Sequence, residues 1–316
     1  MKVLITGSTG FIGSALVRAL RNEGGWTYRL GIHQRPLACL PALPEQRWEV
    51  CAGDLTSPGD CLRLCRGVQA VIHAAGGVGA AGLTSQHSMQ RIVTSLVQTS
   101  QLLNAAWSSG VQRVLIFGSS TGYPVGTRAF AEDEMFEATP PEPYLGYGWM
   151  RRYLELLGQY VQRESKTEVV VVRPAAIYGP WDNFEPGLCH VIPALIRKAC
   201  DRMDPLEVWG DGRELRDFLY ADDFARGCLL ALRKLGPGEA VNLASGVSIS
   251  TAELVDAVCR AAGHQPQEVR YLKSRISMPS RLLDINKARQ VLRFEPRVSL
   301  SEGLQQTVEW FRRHQP

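Results

Sequence analysis

The stretch Lys2-Val-Leu-Ile-Thr6-Gly7-Ser-Thr-Gly10-Phe-Ile-Gly13 decides the fold of this chain. Its apolar start predicts a buried strand over Lys2–Thr6, and the amphipathic sequence from Phe11 to about residue 22 predicts a helix. Gly7 and Gly10 lie between them and Gly13 lies in the first helical turn, and these glycines allow a tight turn and a close backbone approach. A helix N-terminus in this place presents unpaired N–H groups and a positive dipole end, which together favour a bound pyrophosphate. The candidate contacts are Gly7, Gly10, Phe11, Ile12 and Gly13.

Short apolar runs alternate with helix-length amphipathic stretches through the first half of the chain, a pattern typical of βαβ units. Long helices are predicted over residues 88–108 and 146–163. Further strands are predicted over residues 27–32, 48–51, 70–73, 111–117 and 168–172. We therefore expect an α/β fold with a Rossmann-type, doubly wound parallel sheet.

The sequence changes character after Arg173-Pro174, where prolines and short aromatic or charged motifs become frequent. Residues 1–173 are predicted to form the dinucleotide-binding part, to which a segment at about 206–245 returns. Residues 174–316 are predicted to form mainly a smaller, interleaved α/β part that binds the substrate.

Two helices are predicted in this second part. Ser250 and Glu253 have the spacing of a capping box, which opens a helix to about Ala262. A glycine in the next position, Gly263, can end that helix. The last helix is predicted over residues 301–313.

Composition and charge exclude several classes of protein. The 316 residues are 45% hydrophobic and 21% charged, which suits one or two soluble α/β domains. A formal net charge of +4 without a run of like charges does not indicate a nucleic-acid-binding surface. Since no apolar stretch reaches the roughly 18 residues of a membrane span and no leader precedes the first strand, we expect a cytoplasmic protein. Eight scattered cysteines without Cys-x-x-Cys spacing predict reduced thiols and no metal site.

The residues after the second predicted strand distinguish two dinucleotides. Proteins that bind NAD usually have an acidic residue there for the ribose 2′-hydroxyl, whereas this chain has His33-Gln34-Arg35. A base in place of an acid favours a 2′-phosphate and hence NADP(H), with NAD as the alternative. Arg35 is the expected contact, and an exposed loop arginine is the other interpretation. Loops after the third and fourth strands should line the riboses through Asp54, Leu55, Ala74, Ala75 and Gly76.

Four motifs together carry a resemblance to a known family. They are Gly7–Gly13, Gly53-Asp54-Leu55, Gly118-Ser-Ser-Thr-Gly-Tyr-Pro124 and Tyr147-Gly-Trp-Met-Arg151. The chain, over nearly its whole length, thus resembles the extended short-chain dehydrogenase/reductases, the NAD-dependent epimerase/dehydratase family. Further motifs resemble the GDP-L-fucose synthases within that family; they are Tyr178-Gly-Pro-Trp-Asp-Asn-Phe184, His190-Val-Ile-Pro-Ala-Leu195 and Val208-Trp-Gly210.

The resemblance implies a reaction centre. In the family, a Ser or Thr four residues before a Tyr binds the substrate carbonyl oxygen, which here selects Ser119 before Tyr123. The family's Tyr-x-x-x-Lys places a cation one helical turn after the catalytic tyrosine, and here Arg151 follows Tyr147. Arg151 can supply the charge but is a poor proton relay. Tyr147, Arg151 and Pro174 are also expected beside the cofactor, and a buried helix aromatic is the alternative interpretation of Tyr147.

Two further positions concern epimerisation. In GDP-L-fucose synthases a cysteine and a histidine act as acid and base at the carbons beside a ketone. Thr121 replaces the cysteine, and its hydroxyl is too weakly acidic for that proton transfer. The histidine matches His190, which either protonates the substrate or helps to bind the sugar. Epimerisation is therefore in doubt.

The resemblance also implies a nucleotide-sugar site. Its expected contacts are Asn183, Lys198, Trp209, Arg216 and Arg281, of which the cations would bind the diphosphate and the tryptophan the nucleotide. A solvated surface charge is the alternative interpretation for each cation. Ala176 stands where the family commonly has an asparagine, so a third position around the pocket differs from the family pattern.

These observations predict an NADPH-dependent reductase of the 4-keto group of a nucleotide-linked 4-keto-6-deoxy sugar. The alternatives are an NDP-sugar 4-epimerase or dehydratase with tightly held NAD, a ketoreductase of a non-sugar metabolite, and a binding protein that has lost its chemistry. Family members commonly dimerise through their long helices, so a homodimer is expected. Neither nucleic acid nor a membrane is an expected partner.

Overall fold

A computed structural model describes residues 1–21, 24–35, 40, 47–76, 85–272 and 280–314. The strands are β1 (Lys2–Thr6), β2 (Thr27–Ile32), β3 (Trp48–Ala52), β4 (Ala70–His73), β5 (Arg113–Phe117), β6 (Ala129–Phe130), β7 (Glu168–Pro174), β8 (Ala176–Tyr178), β9 (Leu206–Trp209), β10 (Leu215–Tyr220), β11 (Ala240–Leu243), β12 (Ser248–Ser250), β13 (Val269–Leu272) and β14 (Leu282–Leu283). The helices are α1 (Phe11–Arg21), α2 (Pro58–Cys65), α3 (Ser85–Ser108), α4 (Leu145–Glu164), α5 (Val191–Cys200), α6 (Ala221–Lys234), α7 (Thr251–Ala262) and α8 (Leu300–His314).

Seven parallel strands form the central sheet, in the order β11-β7-β5-β4-β1-β2-β3. Val3 of β1 pairs with Tyr28 of β2 on one side and with Ala70 of β4 on the other. Strands β2 and β3 follow β1 toward one edge of the sheet, whereas β4 lies on the other side of β1. The order of the strands therefore reverses between β1 and β4. In a parallel sheet, such a reversal opens a crevice at the carboxyl ends of the strands, where ligands bind. The predicted Rossmann-type sheet is confirmed.

Both faces of this sheet are covered by helices. Because side chains alternate along a strand, Val3 and Ile5 face one side and Leu4 the other. The first side is a core shared with α1 and α6, which contributes Phe224. The second side is a core shared with α2, α3 and α4, which includes Leu102. A buried layer on each face holds the carboxyl edge of the sheet in place.

A smaller part follows β7. It contains a three-stranded sheet in the order β12-β10-β8 and a parallel pair of β9 with β13, packed with α5, α7 and α8. Within the segment at about 206–245, α6 and β11 pack on the central sheet, whereas β9 pairs with β13. The short strand β14 pairs in parallel with β6.

Most predicted elements agree with the structure to within a few residues. The capping box is present, because Ser250 Oγ accepts from the N–H of Glu253 at 3.2 Å and Glu253 Oε2 accepts from the N–H of Ser250 at 2.7 Å. Gly263 ends that helix with a φ of 55°. The strand predicted from residue 111 begins at Arg113, since Val111 and Gln112 still belong to the loop that joins it. Residue 22, the predicted end of the first helix, lies outside the described residues.

The described part of the chain contains no helix that is long and apolar enough to cross a membrane. In the same residues, no cluster of three or more His, Cys, Asp or Glu side chains is arranged to hold a metal ion. The seven cysteines that the structure describes are free thiols, and Cys39 lies outside the described residues.

Candidate active site

The glycine turn between β1 and α1 brings the helix N-terminus to the crevice. Gly7 has a φ of 63°, and the N–H of Gly10 donates to its carbonyl at 2.9 Å. A Cβ atom on Gly7 would lie 2.7 Å from Ala75 Cα, and one on Gly13 would lie 2.0 Å from the carbonyl oxygen of Gly7. Residues with side chains do not fit at these two positions, so the turn requires glycine.

The first turn of α1 leaves backbone donors for a ligand. The first helical hydrogen bond is donated by Ser14 to Gly10 at 2.8 Å. The N–H groups of Phe11, Ile12 and Gly13 therefore have no acceptor within the helix. Together with the positive end of the helix dipole, they fit the pyrophosphate of a dinucleotide.

The other candidate cofactor residues also follow the carboxyl ends of strands. Arg35 is exposed beyond β2. The Asp54 carboxylate after β3 accepts from the N–H of Thr56 at 2.8 Å, and this hydrogen bond lowers its pKa. Leu55 is buried in the core.

Two more loops reach the same edge of the sheet. Ala74, Ala75 and Gly76 follow β4, and the N–H of Ala75 donates to Thr6 Oγ1 at 3.2 Å. Pro174 ends β7 and is paired with Leu243 of β11. The structure therefore brings the loops after β1, β2, β3, β4 and β7 to one edge of the central sheet.

His73, at the end of β4, is a core histidine. Its two ring nitrogens lie 2.8 Å from Thr6 Oγ1 and 3.0 Å from Thr99 Oγ1. Burial lowers its pKa to about 3, and the nearby charge of Arg151 contributes to the shift. His73 is thus neutral near pH 7 and links the end of β4 to α3.

Ser119 begins a tight turn directly after β5. Its Oγ accepts two hydrogen bonds from Thr121, one from the backbone N–H at 3.2 Å and one from the hydroxyl at 2.8 Å. The carbonyl of Ser119 accepts from the N–H of Gly122 at 3.2 Å, which closes a 3₁₀ turn over Ser120–Gly122. Ser119 is half-buried and Thr121 is buried.

Tyr147 and Arg151 lie one turn apart on α4. Arg151 donates to the Tyr147 phenol oxygen from Nε at 3.1 Å and from Nη2 at 2.5 Å. Its Nη1 donates to the carbonyl of Phe117, the last residue of β5, at 3.0 Å. Arg151 therefore joins the tyrosine to the strand that carries Ser119.

The first turns of α4 are held against the serine turn. A Cβ atom on Gly148 would lie 2.7 Å from the carbonyl oxygen of Thr121, so the approach depends on that glycine. Arg152 is fully buried and donates to the carbonyl of Gly122 from Nε at 2.9 Å and Nη2 at 2.6 Å. Ser119 and Tyr147 are thereby held in one rigid unit.

A buried polar network supports this unit, and the sequence analysis did not find it. Arg173 of β7 donates to both oxygens of Glu155 and, at 2.8 Å, to the phenol oxygen of Tyr123. Tyr123 in turn donates to Asn242 Oδ1 at 2.7 Å. Burial raises the pKa of Glu155. Glu155 lies two helical turns after Tyr147, and a Cβ atom on Gly118 would lie 2.2 Å from its Oε1. The spacing of eight residues between Tyr147 and Glu155 was the sequence signal from which this network could have been found.

Arg216 and Arg281 are neighbours in the smaller part of the chain. Arg281 pairs with Arg216 through an isolated parallel bridge next to β10. Burial and then the charge of Arg281 lower the pKa of Arg216 to about 10. Arg281 donates from Nη2 to the Tyr144 phenol oxygen at 3.1 Å and lies 4.0 Å from the centre of that ring. Its Nε and Nη1 are buried and have no hydrogen-bond partner in the part of the chain that the structure describes.

The remaining candidates for substrate binding lie on nearby elements of the smaller part. Lys198 Nζ donates to the carbonyl of Glu207 at 2.6 Å, and burial lowers the pKa of this lysine. Trp209 ends β9 and is 43% exposed. Asn183 Oδ1 accepts from the N–H of Glu185 at 2.9 Å, so that side chain shapes its own loop.

His190 directly precedes α5, makes no capping hydrogen bond with its side chain, and faces a carboxylate. Its Nδ1 lies 3.8 Å from Asp182 Oδ1, and the side chain of Asp182 is only 3% exposed. Both His190 Nδ1 and Asp182 Oδ2 are buried without a hydrogen-bond partner among the described residues. A separation of 3.8 Å is longer than a hydrogen bond, so the two side chains face each other without one.

Comparison with known proteins gives one family. The model of the NAD-dependent epimerase/dehydratase family matches residues 3–244. A dTDP-4-dehydro-6-deoxy-D-allose reductase of Streptomyces bikiniensis is 32% identical, over 99% of this chain and 96% of its own length. A GDP-L-fucose synthase of Sinorhizobium fredii is 28% identical, over 98% of this chain and 95% of its own length. DesIV, a dTDP-glucose 4,6-dehydratase of Streptomyces venezuelae with NAD and TYD bound, has a TM-score of 0.85 at 25% identity, over 99% of this chain and 98% of its own.

Proposed function

Since the chain belongs to the NAD-dependent epimerase/dehydratase family, we propose that it is an NADPH-dependent reductase of the 4-keto group of a nucleotide-linked 4-keto-6-deoxy sugar. Family membership confirms the resemblance indicated by the sequence motifs, and with it an NAD(P)-dependent enzyme. The observation that carries the substrate class is the buried Arg281 guanidinium beside Arg216.

The residues around the serine turn support carbonyl reduction. The nicotinamide of the bound cofactor supplies a hydride for the carbonyl carbon. Ser119 Oγ donates a hydrogen bond that orients the carbonyl oxygen, and Tyr147 transfers its phenolic proton to that oxygen. Arg151 then stabilises the phenolate through the two N–H groups that already reach its oxygen.

The two arginines support a diphosphate as part of the substrate. Burial lowers the pKa of Arg281, so its charge is costly in the free protein. An anion that accepts from its Nε and Nη1 removes that cost, and a planar guanidinium suits the two oxygens of a phosphate. Like charges on Arg216 and Arg281 together suit a ligand with two negative charges.

Arg35 supports NADPH over NADH. It is exposed at the end of β2, and residues 33–35 contain no carboxylate that would repel a 2′-phosphate. Replacing Arg35 by Ser should raise the dissociation constant for NADPH by about tenfold and leave that for NADH unchanged. Equal effects on both cofactors would contradict this assignment.

A nucleotide-sugar 4-epimerase or dehydratase is the second candidate, favoured by the likeness to DesIV. Such an enzyme recycles its cofactor and retains it. Purified protein that releases NAD on denaturation, and that converts a nucleotide sugar without added NADPH, would favour this candidate over the reductase.

We also propose a homodimer through α4. Trp149, Tyr153, Leu156 and Tyr160 recur at helical spacing and are each about half exposed. An apolar stripe of this kind is typical of an interface, and a second copy of α4 would cover it. Leu156→Asp should convert a dimer to a monomer in light scattering. A wild-type monomer, or a variant that remains a dimer, would contradict the proposal.

The reductase is tested by following NADPH absorbance with dTDP- and GDP-linked 4-keto-6-deoxyhexoses. Tyr147→Phe should lower kcat by about 1,000-fold, because the general acid is lost. Tyr153→Phe removes a phenol hydroxyl on the same helix but keeps the ring that the proposed dimer interface covers, so it is the matched control and should keep wild-type kcat. Wild-type turnover by Tyr147→Phe would show that the acid is elsewhere.

A further inference from the structure

Both acceptor positions of the Ser119 hydroxyl are filled by one residue. Thr121 donates to Ser119 Oγ from its hydroxyl at 2.8 Å and from its backbone N–H at 3.2 Å. A hydroxyl oxygen has two lone pairs and one hydrogen. With both lone pairs engaged, Ser119 can only donate its next hydrogen bond, and none of the described residues accepts one from it.

The Tyr147 phenol, like the Ser119 hydroxyl, can only donate its next hydrogen bond. Arg151 Nε and Nη2 both donate to its oxygen, so the hydrogen of the neutral phenol points away from Arg151 as a donor. Two donors match a carbonyl oxygen, which has two lone pairs and no hydrogen. A hydroxyl group on the substrate instead brings a hydrogen that finds no acceptor at these two residues, and an unpaired buried donor is costly.

We propose that Thr121 is a positioning residue that fixes Ser119 as a hydrogen-bond donor, so that the site selects a carbonyl oxygen over a hydroxyl group on the substrate. Thr121 acts through Ser119 and does not touch the reacting atoms. Thr121 is 9% exposed and its carbonyl oxygen lies against Gly148 of α4, so the turn that aims its hydroxyl is packed against that helix. This inference rests on the proposed function, because it concerns the oxygen that the reductase protonates.

The test compares Thr121→Val, which keeps the shape of the side chain and removes its hydroxyl, with Thr121→Ser, which keeps a hydroxyl. Calorimetry gives the affinity for the keto sugar with NADP⁺ and for the reduced sugar with NADPH, two complexes that cannot react. Thr121→Val should reduce the preference for the ketone by about tenfold, because Ser119 can then also accept a hydrogen bond. Thr121→Ser should keep the preference within about twofold of the wild type.

Repeating the pair of measurements in a Ser119→Ala background separates positioning from a general structural effect. Without Ser119, Thr121→Val should leave the ketone preference unchanged, since Thr121 acts only through that hydroxyl. The same tenfold loss in both backgrounds, or no loss in either, would overturn the proposal.

The positioning role is also measurable without a substrate. If no nucleotide-linked keto sugar binds to the wild type, the proposed function fails, and crystal structures of the two variants decide the role of Thr121 separately. Thr121→Val should then show Ser119 Oγ displaced or in more than one rotamer, and Thr121→Ser should not. A single, unmoved Ser119 Oγ in Thr121→Val would overturn the positioning role.

Discussion

Arg151 donates two hydrogen bonds to the phenol oxygen of Tyr147 and a third to the carbonyl of Phe117. A guanidinium has five N–H groups, so two remain for a ligand. A guanidinium supplies charge and hydrogen-bond donors but does not pass a proton onward. The proton that returns to Tyr147 after each turnover must therefore travel by a path that does not pass through Arg151.

Replacing Arg151 by Met should lower kcat for ketone reduction by about 100-fold, because the Tyr147 phenolate loses the charge that stabilises it. Arg151→Lys keeps the charge but donates from a single point, so its kcat should lie between that of Arg151→Met and that of the wild type. Arg163→Met, at the exposed end of the same helix, is the control and should match the wild type. Steady-state NADPH oxidation measures all three. A kcat for Arg151→Met within twofold of the wild type would contradict the assignment.

Removing Arg281 should weaken nucleoside diphosphate binding without destabilising the free protein. Arg281→Met removes a buried charge and its repulsion of Arg216, while the ligand loses charge-assisted hydrogen bonds. The dissociation constant of a nucleoside diphosphate, measured by calorimetry, should rise by about 10- to 100-fold. The control Arg270→Met, whose guanidinium pairs with Glu268 on the surface, should leave the constant unchanged. Equal affinity in Arg281→Met would place the diphosphate elsewhere.

His73 should make the folded protein less stable in acid. Burial lowers its pKa from 6.5 to about 3, so the unfolded chain binds a proton below pH 6.5 while the folded chain does not. Its contribution to stability is therefore fully present above pH 6.5 and is lost as the pH falls toward 3. Between pH 7 and pH 5, the wild type should lose about 2 kcal/mol more unfolding free energy than His73→Asn. Parallel pH profiles of the two proteins in urea denaturation would show that His73 is charged in the fold.

Breaking the buried pair of Glu155 with Arg173 should be costly. Glu155→Gln leaves Arg173 buried without its counter-charge, and such a loss costs about 3–5 kcal/mol of unfolding free energy. The matched control is Glu168→Gln, which breaks the ion pair with Arg113 but has a 43% exposed side chain, so it should cost less than about 1 kcal/mol. Urea denaturation at pH 7 compares them, and equal losses would mean that Glu155 is not the counter-charge that holds the network.

The central sheet could be predicted from the sequence because each of its determinants is local. The apolar run before Gly7 and the amphipathic run after it specify a strand, a turn and a helix without help from the rest of the chain. The capping box at Ser250 is equally local.

The candidate site could be predicted only in part, since much of it depends on contacts between distant residues. Arg281 lies beside Arg216 through a single β-bridge between residues 65 positions apart, and no periodic sequence pattern predicts such a pairing. Strands such as β6 have only two residues and exist because β14 pairs with them. The hydrogen bond from Thr121 to Ser119 depends on the 3₁₀ turn after β5, which the sequence analysis did not predict.

The most direct test of the account is to incubate the protein with NADPH and a nucleotide-linked 4-keto-6-deoxy sugar in heavy water, and to identify the product by NMR. The account predicts a sugar reduced at carbon 4, with stoichiometric loss of NADPH and no deuterium at carbons 3 and 5, since Thr121 stands in place of an acidic thiol. A protein that consumes no NADPH with either GDP- or dTDP-linked keto sugars, and that instead interconverts nucleotide sugars with a cofactor it already holds, would contradict it.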